Sequence, residues 1–522
     1  MPRALLSFDL NLSMLSILYS GALQGIEAVP VTVEVDITFG LPGFSLVGLP
    51  DSAVKEARER VFSALKNAGY LVPSRRITIN LAPADLRKEG SALDLPMALG
   101  ILAASEQIEF ALLDGTMVVG ELSLDGGLRP ARGTLSMVLA ARKQGLHSVL
   151  LPAANAREAA LVPGIRLLPA DTLAQALAAL RTGVGLEIPE GGESMQPVSE
   201  LELDYGEIKG QAQAKRALEV AAAGGHNFLM AGSPGCGKTL MARRLPSILP
   251  PLSDEEGLEA TRIYSVAGLL RPGHGILRQR PFRSPHHSIS DQALVGGGKI
   301  PRPGEVSLAH LGVLFLDELP EFRKSTLETL RQPLEDGQVT IARTAHTVTY
   351  PSRCMLGAAM NPCPCGFLFD PLGRCVCRPE TIARYRGRIS GPLLDRIDLH
   401  LEVPSLGVEE VIAEKWEESS EAIRMRVLRA RAAQRERFQN NPGVHCNAHM
   451  VTHDIRKYCG LSAGCVSLLR NAVESLGLSA RAYDRILKVT RTLADLDAVG
   501  EISEKHIAEA IHYRSLDRRA DK

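Results

Sequence analysis

Apolar residues alternate with polar ones in VTVEVDI from Val31 and RITINL from Arg76, the signature of half-buried β-strands. MVVGELSL from Met117 is a third β-rich run, while Ala53–Ala68 has the spacing of an amphipathic helix. The run Leu10–Leu23 reads as a first strand, since Asn11 and several serines interrupt it too often for a signal peptide. Residues 1–182 are therefore expected to form one α/β domain. GVGLEIPEGGESMQPVSE (183–200) has no periodicity and reads as a linker. From 201 to 403 the strands change character. NFLMAG (Asn227–Gly232), VLFLDE (Val313–Glu318) and CMLGAAMN (Cys354–Asn361) are continuous apolar runs, as expected of a parallel sheet covered on both faces. Residues 404–522 read as helical, and no repeat of solenoid length is visible.

Composition narrows the class without deciding the function. A 522-residue chain with 45% hydrophobic and 23% charged residues is globular and long enough for several domains. Lysines plus arginines equal aspartates plus glutamates at 59 each, so nucleic-acid binding has to rest on local features. Nine cysteines, four of them clustered, point to a reducing, cytoplasmic compartment and a metal site in place of a disulfide framework. No apolar run is long enough for a membrane span.

Chemistry concentrates in the second block. Gly232, Ser233, Pro234, Gly235, Cys236, Gly237, Lys238 and Thr239 (GSPGCGKT) join an apolar strand to the helical run LMARRL. Glycines let such a loop turn its N–H groups inward around phosphates, and the helix N-terminus favours the anion. Lys238 is placed to reach the β- and γ-phosphates of ATP, and Thr239 to ligate Mg²⁺. Asp317, at the end of LFLD, is the second Mg²⁺ candidate, and the adjacent Glu318 is the candidate base that orients the attacking water.

This order resembles the AAA+ ATPases. The resemblance implies that Asn361, after the next strand, positions the same water. It implies that Arg396 in LLDRID is a finger inserted into a neighbour's ATP site, with Arg388 and Arg384 as further candidates. Arg481 in SARAYDRIL resembles the second sensor arginine of the helical lid, with Arg485 as the alternative. A finger acting on a neighbour implies a ring, a homo-oligomer of six. Longer motifs are more specific. LPGFSLVGLPDSAVKEARERV (Leu41–Val61), NLAPADLRKEG (Asn80–Gly90), RPFRSPHH (Arg280–His287), NPCPCG (Asn361–Gly366) and RYRGRISGPLLDRIDLH (Arg384–His400) resemble the magnesium-chelatase-like AAA+ proteins of the ComM or YifB family. That implies a hexameric ATPase moving along branched or forked DNA during recombination of incoming DNA, with recombination proteins as partners. The ATP site would look the same in a motor that remodels a protein partner. In the first domain, GELSLDGGLRPARG (Gly120–Gly133) and KEGSALDLPMA (Lys88–Ala98) resemble segments of the proteolytic domain of Lon, of ribosomal S5 domain 2-like fold. In register with it, the nucleophile falls on Ala92, beside Ser91, and the lysine on Leu135. An interaction or DNA-guiding module is expected there, not a protease.

Cys363, Cys365, Cys375 and Cys377 form two close pairs across a short turn-rich loop, a set that could close a structural Zn²⁺ site. GQVTIARTAHTVTYPSRC (Gly337–Cys354) reads as a hairpin with Arg343 and His346 at its tip as DNA contacts. The glycine-rich insertion Ser288–Pro303 offers Lys299 and Arg302 as a second pore loop. His286 and His287 read as loop-packing residues. The helix Glu421–Phe438, with arginines 424, 426, 429, 431, 435 and 437, reads as a solvated helix.

Overall fold

The computed structural model describes residues 14–188 and 203–514, apart from 89, 272–273, 299–300, 343–346, 369–372, 408–416 and 442. The chain divides into two compact units: Met1–Met195 with Gly257–Leu277, and Gln196–Glu256 with Arg278–Lys522.

In the amino-terminal unit the alternating runs pair as the pattern requires. Met14–Gln24 and Glu27–Thr38 form an antiparallel hairpin, Leu18 opposite Val33 and Ser16 opposite Val35. This hairpin is part of a seven-stranded sheet in the order Gly43–Val47, Arg76–Ala82, Glu27–Thr38, Met14–Gln24, Thr116–Val118, Ser148–Pro152, Arg166–Ala170. Val31, Val33, Val35 and Ile37 point into one core with Ile77, Ile79 and Leu81. The helix Asp94–Ala104 is buried along its whole length. Gly100 is required in it, since a Cβ there would lie 2.6 Å from Val35 Cγ2, and Ser16 Oγ donates to the Gly100 carbonyl at 2.8 Å. The stretch expected as one helix at 53–68 is two, Ser52–Lys55 and Ala57–Asn67, the first capped by Asp51 accepting from Val54 N–H at 2.8 Å.

Residues 257–277 read from the sequence as part of the second block, but they pack in the first unit. Arg262 pairs with Glu27 at 2.8 Å, Ser265 Oγ donates to Glu158 at 2.5 Å, and Leu258 packs on the core around Leu135 and Val138. Periodicity marks an apolar helix face without saying which core receives it.

The second unit holds a five-stranded, all-parallel sheet in the order Phe282–Arg283, Val313–Leu316, Met355–Met360, Phe228–Gly232, Leu399–Val403. The last four strands are almost wholly buried, as their unbroken apolar runs predict. One hydrophobic core continues from this sheet into the helices Ser420–Phe438, Ala463–Leu476, Ala480–Leu496 and Glu504–His512. The arginine-rich helix is not simply solvated. Arg426 binds Glu219 and Glu418, Arg431 donates to the Ala222 carbonyl, and Arg437 binds Asp495, while Arg429 and Arg435 stay exposed. Among the described residues, no helix is long and apolar enough to cross a membrane.

Candidate functional site

The glycine loop, Asp317, Glu318 and Asn361 follow the carboxyl ends of neighbouring parallel strands, where open α/β sheets bind their ligands. The strand Phe228–Gly232 runs into the glycine loop, which turns through Gly235 (φ +78°) and Gly237 (φ +93°), conformations a side chain would strain. Gly237 begins the helix Lys238–Arg244. Lys238 Nζ is folded back over this loop, donating to the carbonyls of Gly232 at 2.7 Å and Ser233 at 3.0 Å, and to Asn361 Oδ1 at 3.4 Å. Thr239 Oγ1 donates to Asp317 Oδ2 at 2.6 Å, so two oxygens suited to Mg²⁺ stand side by side, and the residues fit that ion. Two residues 78 positions apart in sequence are thus joined by the sheet.

Glu318 sits at φ +53°, ψ +46°, a left-handed conformation that costs a non-glycine residue free energy and that clusters at functional sites. Its side chain is 60% exposed and faces His287, whose Nδ1 lies 3.4 Å from Oε2. His286 stacks on His287 with ring centroids 4.0 Å apart, and Phe322 meets its edge. The histidine pair is therefore beside the candidate base, a placement the sequence reading missed. Glu318, Asn361, Pro364, Arg384, Tyr385 and Arg388 line one cleft of about 390 Å³. Arg388 donates to the Pro320 carbonyl at 3.2 Å and pairs with Glu321 at 3.0 Å.

Arg396 is held on Glu335, and Arg481 lies near enough for its charge to act on the same carboxylate. Arg396 binds the Glu335 carboxylate and the Pro392 carbonyl, and its hydrogen bond, with the Arg481 charge nearby, holds the Glu335 carboxyl below its usual range. Arg485, the alternative to Arg481, is committed elsewhere. It pairs with Asp398, which also accepts from Asn227 N–H at 3.0 Å and lies 3.5 Å from His226. Burial pushes the Asp398 carboxyl up, but Arg485 and His226 outweigh it and hold it far below the ordinary range. Arg481 is the exposed member of the pair.

Gln211, also overlooked, is left-handed at φ +55° and donates to the carbonyls of Cys236 at 3.3 Å and Pro404 at 2.7 Å, tying the glycine loop to the chain leaving the sheet. The Gly-Gln pair ahead of the helix Ala212–Gly224 is the signal that marked it. The four clustered cysteines do converge: their sulfurs all lie within 4.8 Å of one another.

The hairpin expected before the Met355–Met360 strand is present as Gln338–Ala342 paired with Thr347–Pro351. Its tip, with Arg343 and His346, lies outside the described residues, as does Lys299. Arg302 is exposed on a two-residue strand opposite Gly297. The two insertions touch, since Tyr350 Oη donates to the Pro301 carbonyl at 2.9 Å. In the amino-terminal unit, Ser91 donates to Glu121, Lys88 donates to the Pro83 carbonyl, and Leu135 is a fully buried core residue.

Comparison with known families places this geometry. The description "Magnesium chelatase, subunit ChlI" matches residues 204–411, "Subunit ChlI of Mg-chelatase" matches 33–155, and the ChlI C-terminal description matches 417–514. YifB of Salmonella typhimurium is 46% identical over 506 residues, covering 97% of this chain and 98% of that protein. Competence protein ComM of Haemophilus influenzae is 45% identical over 513 residues, 97% of this chain and 99% of its own. The magnesium-chelatase 38 kDa subunit of Cereibacter sphaeroides is 26% identical over 265 residues, 44% of this chain and 72% of that subunit. With the glycine loop, the paired acids and the arginines set around one parallel sheet, and with identity running through nearly the whole length, this chain belongs to the YifB and ComM family of magnesium-chelatase-like AAA+ ATPases.

Proposed function

We propose that the chain is the protomer of a ring-shaped, six-membered motor that couples ATP hydrolysis to movement on branched DNA. The observation that carries the reading is the split between two groups of residues in the second unit. Lys238, Thr239, Asp317, Glu318 and Asn361 converge on one edge of the sheet, whereas Arg396 is anchored on Glu335, a carboxylate that also feels the Arg481 charge. An arginine anchored on its own subunit away from the phosphate loop is suited to reach a neighbour's γ-phosphate, as a finger must.

In this reading Lys238 leaves the carbonyls of Gly232 and Ser233 to bind the β- and γ-phosphates. Thr239 and Asp317 would hold Mg²⁺, which would supply neutralisation of phosphate charge. Glu318 orients the attacking water and accepts its proton, Asn361 fixes the water from the adjacent strand, and Arg396 of the next subunit stabilises charge on the departing phosphoryl group.

The step from ATPase to DNA motor is supported by the name of the competence relative and by the hairpin beside the Met355–Met360 strand. A chain with zero net charge gathers basic residues at a pore only by assembling. Arg302, with Lys299, Arg343 and His346, then supplies phosphate contacts in six copies. Likeness to a magnesium-chelatase subunit favours a second reading, a motor acting on a protein partner. ATPase rates with and without four-way and forked DNA separate the two. Stimulation that fades with added salt supports the DNA motor, and rates indifferent to every DNA structure contradict it.

A further inference from the structure

The four-cysteine loop has the geometry of a closed metal site and rests on the phosphate loop. Sγ–Sγ separations are 3.3 Å for Cys363 and Cys365, and 3.7 Å for Cys363 and Cys375 and for Cys365 and Cys375. A tetrahedron of sulfurs at Zn–S distances of about 2.3 Å has edges of about 3.8 Å, so these three thiols already stand near the corners of such a site, with the Cys377 sulfur within 4.8 Å of each. Backbone N–H groups of Phe367 and Val376 are directed at the Cys365 sulfur, and Gly366 N–H donates to the Cys363 carbonyl at 2.9 Å, closing a tight turn under the ligands. Four soft ligands in a tetrahedron select Zn²⁺ among the abundant divalent ions, and they leave no open coordination position for catalysis.

The turn has a second contact. Gly366 is at φ +84°, and a Cβ there would lie 2.5 Å from Cδ of Pro234, in the middle of the glycine loop. On the other side of Cys363 the chain leads back through Pro362, whose carbonyl accepts from Arg386 Nε at 3.2 Å, to Asn361, which contacts Lys238. The turn Cys363–Gly366 therefore packs closely on the phosphate loop at Pro234 and is joined through Pro362 to the partner of its lysine.

We infer that Cys363, Cys365, Cys375 and Cys377 bind one structural Zn²⁺ whose loop braces the phosphate-binding loop, so that the metal sets nucleotide affinity. The inference rests on the reading of residues 232–239 as the ATP site. The full-length chain purified without chelator carries about one zinc per chain by elemental analysis, the stoichiometry of a four-ligand site. Cys377→Ser loses the metal and binds a fluorescent ATP analogue at least about fivefold more weakly, the lower end of typical coupling between sites. Cys377→His, which restores a zinc ligand, keeps both metal and affinity. If the serine variant does not fold, the wild-type chain stripped by dialysis against a chelator and then resupplied with zinc gives the same comparison, affinity falling and recovering. Metal-free wild type, iron in place of zinc, or equal affinity with and without the metal would each overturn the inference. A wild-type chain that carries zinc and binds no nucleotide would instead overturn the ATP-site reading.

Discussion

Both units close charged pairs beside an α/β sheet, and the second also holds carboxylates open at a strand edge. In the amino-terminal unit the buried charges satisfy one another. Arg60 and Asp94 are joined at 2.7 Å with Asp94 fully buried, and Glu158 accepts from Asn155 and Ser265, both at 2.5 Å. Burial raises the carboxyls of both Asp94 and Glu158 despite these partners. In the second unit Asp317 and Glu318 stand at an open strand edge, and Glu318 carries a strained backbone with its carboxylate toward a cleft. Polar groups that close on one another organise a core; polar groups held short of closure remain available to a ligand. The same contrast separates Arg485, consumed by buried Asp398, from Arg481, exposed four residues earlier on one helix.

The contrast breaks first at Glu318. Glu318→Gln is expected to retain ATP binding and lose turnover by roughly 10³-fold, the scale of a general base, whereas Lys238→Ala loses nucleotide binding itself. Equal steady-state hydrolysis by Glu318→Gln and wild type would remove the base from this cleft. Next in size is Asp398→Asn, which leaves Arg485 facing a neutral partner and costs about 3 kcal/mol of stability by chemical denaturation. Because the native carboxyl is held below its ordinary range, its contribution is present above the unfolded carboxylate range and is lost only as pH falls through the lower native value. The cost should therefore be the same at pH 7 and pH 5. A cost that vanishes at pH 5 would mean the pair is not ionised as described.

His287→Ala tests whether the histidine holds the base. If the approach of His287 to Glu318 tightens to a hydrogen bond on the charged carboxylate in the nucleotide-bound site, it is worth about 1.5 kcal/mol, so kcat is expected to fall roughly tenfold with KM for ATP nearly unchanged and with His287→Asn restoring most of the loss. An unchanged kcat would make the 3.4 Å contact incidental. The smallest effect belongs to the amino-terminal unit. Ser91→Ala, which empties the Ser91–Glu121 pair, is expected to leave the ATPase rate within about twofold, since surface polar changes are worth only about 0.5 kcal/mol. A large loss of hydrolysis in that variant would end the division of labour between the units.

The strand–loop–helix at 228–244 was legible because its requirements are local: positive φ at Gly235 and Gly237, and an apolar strand before them. The Val313–Leu316 and Met355–Met360 strands and the hairpin at 338–351 were legible for the same reason. The assignment of 257–277 to the first unit was not, because a helix face does not name its partner. Nor was the neighbour of Glu318. His287 reaches it only through the parallel pairing of Phe282–Arg283 with Val313–Leu316, which sequence spacing cannot encode. The arginines of 420–438 misled through composition: a basic helix looks solvated until Glu219, Ala222 and Asp495 are seen across from it.

The central claim is that each active site takes its finger from a second copy of this chain, and subunit mixing tests it most directly. Arg396→Ala alone and Lys238→Ala alone are each expected to be nearly inactive, the first for want of a finger and the second for want of bound ATP. Co-assembled in one ring, they pair an intact nucleotide site with an intact arginine, and ATP hydrolysis is predicted to reappear. Rings shown to contain both variants that remain as inactive as either alone would contradict the account.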